Sequence, residues 1–138
     1  MSQSSRSAVM TAIKSRGNRS TELVMASLLR RSRIRGWRRH LRLLGSPDFA
    51  WRSERVVLFV DGCFWHGCPR CYREPSTRVR YWRRKIGRNR ERDQRNTREL
   101  RRQGWGVVRV WECQLKSEAK TRGALLRLLR ELRRSKGS

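Results

Sequence analysis

Residues 61–71 gather three of the chain's four cysteines, one of its two histidines and one of its three aspartates. In Cys63-x4-Cys68-x2-Cys71 the spacing lets three thiolates converge on one tetrahedral ion. Cys113, far along the chain in Trp111-Glu112-Cys113, is available as the fourth ligand. A chain of 138 residues has room for one domain with a modest core, which a structural zinc would brace. Two disulfides are the competing arrangement. They require an oxidising compartment, and Met1-Ser2-Gln3-Ser4-Ser5-Arg6 offers no apolar stretch to direct export. A redox C-x-x-C at Cys68 and Cys71 is a third. Such a pair normally opens a helix after a strand, whereas Gly67, Pro69 and Arg70 suit a tight knuckle. Zinc is the reading adopted.

Charge bounds the partner. Thirty-six Lys and Arg against eleven Asp and Glu give a formal net charge of +25, which points to a polyanion. Most of the basic residues are Arg, whose planar fork grips phosphate and stacks on bases. No apolar run is long enough to span a bilayer, and no helix sets an aromatic-rich face beside a Lys-rich one. A cytoplasmic protein that binds nucleic acid rather than membrane is expected.

Residues 1–19, rich in Ser and Arg, read as a basic mobile arm that orders on DNA. Ser20 or Thr21 caps a helix to about Arg33 that pairs Val24 with Leu28 and Met25 with Leu29. Trp37 to Leu44 reads as an edge strand, ended by Gly45-Ser46-Pro47. Asp48 to Trp51 and Val56 to Val60 form a hairpin, which sets Asp48 across from Phe59 or Val60. A long helix from Thr77 to about Gln103, closed by Gly104, turns Val79, Trp82, Ile86, Asp93, Thr97 and Leu100 to one face. The strand Gly106–Trp111 follows. A last helix, about Ser117 to Arg134, buries Leu125, Leu128, Leu129 and Leu132.

This order places Asp48 at a strand start beside a hairpin partner ending in Asp61, the layout by which PD-(D/E)XK nucleases hold Mg²⁺ against a scissile phosphate. The usual lysine is missing, and His66 is the available replacement. Phosphodiester hydrolysis needs a positioned water, a Lewis acid and a proton donor or acceptor that works near neutral pH, as imidazole does. His66 could instead bind zinc, and Glu22 could simply complement the dipole of its helix. Phe64, Trp65 and Trp82 suit wedging between base pairs, with core packing as the alternative; Trp105 and Trp111 suit the core.

In combination, Gly45-Ser46-Pro47-Asp48-Phe49, Val60-Asp61-Gly62-Cys63-Phe64-Trp65-His66, Trp82-Arg83-Arg84-Lys85-Ile86-Gly87-Arg88-Asn89, Glu91-Arg92-Asp93, Gly104-Trp105 and Val110-Trp111-Glu112-Cys113 resemble the Vsr-type very short patch repair endonucleases, which nick DNA 5′ of the thymine in a T:G mismatch. The resemblance covers about residues 6–116. It implies one α/β domain over residues 1–138, of restriction-endonuclease-like fold, with a mixed sheet flanked by helices and double-stranded mismatched DNA as its partner. A monomer is expected. Catalytic Mg²⁺ would be held by the Asp48 side chain and the Val60 carbonyl. His66 would be the general acid/base, supported by Glu22 and Asp93, with Asp61 also in the catalytic group. Zinc falls to the positions of Cys63, Cys68, Cys71 and Cys113, and DNA contact to Phe64, Trp65, Trp82, Arg88 and Asn89. Two departures stand out. Asp61 occupies the place of a second family histidine, and Cys68 that of a histidine ligand, with one extra residue before Cys71. Two rivals remain open: a non-catalytic zinc module that binds DNA, and a nickase or restriction-type enzyme indifferent to mismatches.

Overall fold

The computed structural model describes residues 21–136; the basic arm at 1–19 and the cap at Ser20 lie outside them. Helix α1 covers residues 21–31 of this span. Then come β1 (Arg38–Arg39), β2 (Phe49–Trp51), β3 (Val56–Asp61), α2 (Val79–Arg102), β4 (Gly106–Trp111), a 3₁₀ turn (Glu112–Lys116) and α3 (Glu118–Lys136). The four strands form one mixed sheet in the order β1-β2-β3-β4. β2 and β3 are an antiparallel hairpin, whereas β3 and β4 run parallel. A parallel pair needs a long crossover, which the cysteine loop and α2 supply.

Side-chain alternation sorts the strand residues into two cores. Phe49, Trp51, Val56, Leu58, Val108 and Val110 face one side, where Met25, Ala26 and Leu29 of α1 and Ala124 and Leu128 of α3 cover them. Ala50, Val57, Phe59 and Val107 face the other and meet Leu100 of α2, with Trp105 packed alongside. β3 is thus buried on both faces, which accounts for its unbroken apolar run. Full burial of each such side chain contributes about 1.5–3 kcal/mol. The same parity turns Asp61 and Arg109 toward α2.

Several boundaries depart from the sequence reading. The expected edge strand Trp37–Leu44 shrinks to two residues, because His40 adopts a left-handed φ of 57° and turns the chain out of the ladder. Leu41 and Leu43 then pack on the α2-side core. α2 begins at Val79 instead of Thr77: its N-cap is Arg78, at a left-handed φ of 55° and with no side-chain capping bond. Its C-terminal end follows expectation. Gly104, at φ +95°, allows Trp105 N–H to donate to the Leu100 carbonyl in a Schellman-type closure. On α1, Met25 and Leu29 are buried as a pair, while Val24 is exposed. Of the four leucines assigned to the core from α3, only Leu128 is fully buried, and the other three pack at its margin. Among the described residues no helix is long and apolar enough to cross a membrane.

Candidate active site and metal centre

The candidate residues collect beyond the carboxyl end of β3, where hairpin, cysteine loop and α2 meet. Asp48 sits one residue before β2, and its N–H donates to the Leu58 carbonyl, so the ladder holds its backbone. Its Oδ2 accepts the Val60 N–H at 2.6 Å, which brings together the carboxylate and the residue expected to share a cation with it. Glu22, from the first turn of α1, lies within hydrogen-bond reach of the same carboxyl group. Burial first, and then this second acid, push the Asp48 carboxyl up to about 7. Glu22 in turn accepts from Arg39 Nη2 at 2.5 Å, and His40 Nε2 lies 3.4 Å away. Glu22 therefore does more than complement a helix dipole.

His66 pairs through Nδ1 with Asp93 Oδ2 at 2.5 Å. Burial alone would raise the Asp93 carboxyl. The His66 hydrogen bond, helped by the His66 and Arg109 charges, outweighs it and holds the group below its ordinary value. Asp61 lies between the Asp48–Glu22 and His66–Asp93 pairs, with Oδ1 3.9 Å from His66 Nδ1. It is 4% exposed, and both its oxygens accept from Arg109 Nη1 at 3.0 Å. Burial raises the Asp61 carboxyl and the Arg109 charge pulls it back. A groove of about 420 Å³ opens beside these residues, lined by His66, Asp93, Arg90, Arg98 and Arg101 among others.

The four cysteines are free thiols whose sulfurs all lie within 4.8 Å of one another. The gap from Cys68 to Cys113 is 3.9 Å, against edges of about 3.8 Å for a tetrahedron with zinc–sulfur bonds of about 2.3 Å. The set therefore fits a closed four-sulfur metal site. His66 stands outside it, engaged with Asp93. The Cys63 N–H donates to Glu112 Oε1 at 3.2 Å, and Glu112 Oε2 accepts from the Thr21 hydroxyl at 3.2 Å, so one carboxylate joins the knuckle to the start of α1.

Gly67 lets the loop approach α2. Its φ is +64°, and a Cβ there would lie 2.7 Å from Ile86 Cγ2. Nearby, Phe64, Trp65 and Trp82 form a mutual edge-to-face cluster with centroids 5.1–5.9 Å apart, extended by Tyr72 and Tyr81 and lying outside both cores. All three remain half-buried, so neither full burial nor full exposure describes them. Arg88 is exposed, but Asn89 is only 5% exposed and donates to the Trp65 carbonyl at 2.9 Å. Its amide braces the aromatic loop from beneath. Sequence reasoning also missed Arg109 and Glu112. The only available signal for Arg109 was a charge inside an otherwise apolar strand.

Known proteins resemble this chain over most of its length. The family model described as DNA mismatch endonuclease Vsr matches residues 1–73. The chain is 40% identical over 120 residues to the DNA mismatch endonuclease Vsr of Escherichia coli (strain K12), covering 86% of this chain and 76% of that protein. It is 37% identical over 132 residues to the type II nicking enzyme V.NmeAIP of Neisseria meningitidis serogroup A, covering 94% and 93%. With the type II nicking enzyme V.XorIIP of Xanthomonas oryzae pv. oryzae, identity is 51% over 75 residues, 53% of this chain and 54% of the relative.

Proposed function

The chain belongs to the DNA mismatch endonuclease Vsr family and is a DNA endonuclease, and from that premise we propose that it nicks duplex DNA 5′ of the thymine in a T:G mismatch. The observation that carries this reading is the pair of acid-supported groups at one sheet end, Asp48 with Glu22 and His66 with Asp93. Two carboxyls close enough to share a proton are a donor set suited to a hard divalent cation, and we assign Mg²⁺ to Asp48 and the Val60 carbonyl. The bound cation would neutralise charge developing on the phosphate oxygens. In this reading the fold is of the PD-(D/E)XK type and the cysteine set holds a structural zinc. The chain acts as one domain, as a monomer, in the cytoplasm.

The protein's own groups divide the work. Asp93 holds the Nδ1 side of His66, which leaves Nε2 to exchange a proton with the attacking water or the departing sugar oxygen. Water adds to phosphorus, the bond from phosphorus to one flanking sugar oxygen breaks, and His66 handles the proton. Glu22 positions Asp48, and Arg39 positions Glu22. The aromatic cluster, braced by Asn89, is the wedge that enters a base step already weakened by the wobble pair.

Nicking of a single duplex carrying T:G, G:T, T:C or T:A at one position, with Mg²⁺ and with EDTA, tests this. Cleavage confined to T:G and dependent on Mg²⁺ is expected. Equal nicking of all four duplexes would instead identify a mismatch-indifferent nickase.

A further inference from the structure

One buried charged cluster has no role in the reaction as assigned. Asp61 occupies the place of a second histidine in the family pattern, yet both of its oxygens accept from Arg109. The same guanidinium donates from Nε to Thr97 Oγ1 at 2.8 Å and from Nη2 to the Asp93 carbonyl at 3.4 Å, and its Cζ lies 4.0 Å from the Phe59 ring centre. A single side chain from β4 thus ties the end of β3 to the turn of α2 that carries Asp93. Its planar fork is held on several sides, so the arrangement has one geometry.

The distances suggest what this does. Two acids are within reach of His66 Nδ1, Asp93 at 2.5 Å and Asp61 at 3.9 Å. A small rotation of the ring would exchange them, and Nε2 would then point elsewhere. We infer that Arg109 is a positioning residue of the nicking reaction: by holding both oxygens of Asp61 it fixes the competing carboxylate 3.9 Å from His66 Nδ1 and leaves Asp93 as the acid that orients His66. Asp61 is then a ligand for Arg109, not a reacting group. The inference rests on the reading of His66 and Asp93 as the catalytic pair.

The test compares Arg109→Met, Asp61→Asn and the double variant with Asp48→Asn, by single-turnover nicking of the T:G duplex. The hydrogen-bonded Nδ1 proton of His66 is followed by NMR, assigned by its loss in His66→Gln. Arg109→Met should lower the rate by ~10–100-fold, the range for a displaced catalytic group, with duplex affinity little changed, and should shift the His66 proton signal. Asp61→Asn should lower the rate far less than Asp48→Asn does and keep the signal. The double variant, which has no competing carboxylate, should recover both rate and signal toward the Asp61→Asn values. Arg109→Met strands a buried carboxylate and could unfold, so Arg109→Lys, which keeps the charge without the fork, is run beside it and should move in the same direction by less. A double variant no better than Arg109→Met overturns the inference, as does Asp61→Asn falling as far as Asp48→Asn. So does a folded Arg109→Met protein with lowered melting temperature but undiminished rate. The NMR signal needs no cleavage, so a wild type that nicks nothing would sink the proposed function and still leave the Arg109 inference decided.

Discussion

The role proposed for Asp48 comes at a cost in stability. Its carboxyl is pushed up to about 7, by burial first and by Glu22 second. An acid whose folded-state pKa exceeds its unfolded one contributes stability that is complete below about pH 4 and is lost as the pH rises through about 7. Asp48→Asn removes that titration. Thermal melts should therefore show the variant close to wild type near about pH 4 and more stable near about pH 8, although it no longer nicks. Mg²⁺ should narrow the gap at the higher pH by favouring the ionised carboxylate of the wild type. A variant that melts below wild type at about pH 8 would mean that the buried acid pair is not strained by deprotonation.

At the scale of elements, the cysteine loop is the least self-sufficient part of the fold. It has no regular secondary structure from Gly62 to Arg78, and it is held by contacts to its neighbours: the sulfur cluster, Glu112, the Asn89 amide, the His66–Asp93 pair, the stacking of Phe64 and Trp65 on Trp82, the Glu74–Arg83 ion pair and the close approach of Gly67 to α2. Sheet and helices bury their own two cores without it. Elemental analysis should find one zinc per chain. Chelation should lower the melting temperature and expose all four thiols to reagent, because in such sites metal binding is coupled to folding. Cys113→Ser should act in the same direction. Thiols that react freely before chelation would show that no ion holds the knuckle. Through Glu112 the consequences reach Thr21 and so the turn that presents Glu22, which makes this loop the link between the four-cysteine cluster and the acid pair.

For the molecule as a whole, a net charge of +25 dominates encounter with DNA. Any duplex should bind at low salt through counterion release, with affinity falling steeply as salt rises, so affinity alone carries no selectivity. Selectivity is assigned to the aromatic cluster. Trp82→Ala should weaken binding to T:G duplex by on the order of 1–3 kcal/mol, the range for a lost base–aromatic stack, and weaken binding to paired duplex less. The slope against salt should stay put, since no phosphate contact is removed. Equal weakening on both duplexes would assign the cluster to general grip or to packing around the loop.

What the sequence determined by itself is whatever local chemistry and short-range pattern dictate. The buried run Val56–Val60, the hairpin that brings Asp48 to Val60, the glycine that closes α2 and the four-sulfur spacing all follow from residue type and separation. The tertiary structure alone decided which polar groups meet. Asp61 and Arg109 are 48 positions apart, and only the parallel pairing of β3 with β4 sets them on one face. Likewise Asn89 meets the Trp65 carbonyl because the cysteine loop folds over it, and His66 finds Asp93 because α2 crosses that sheet end. Hydrophobic period is written along the chain, whereas the partner of a buried charge depends on packing between elements distant in sequence.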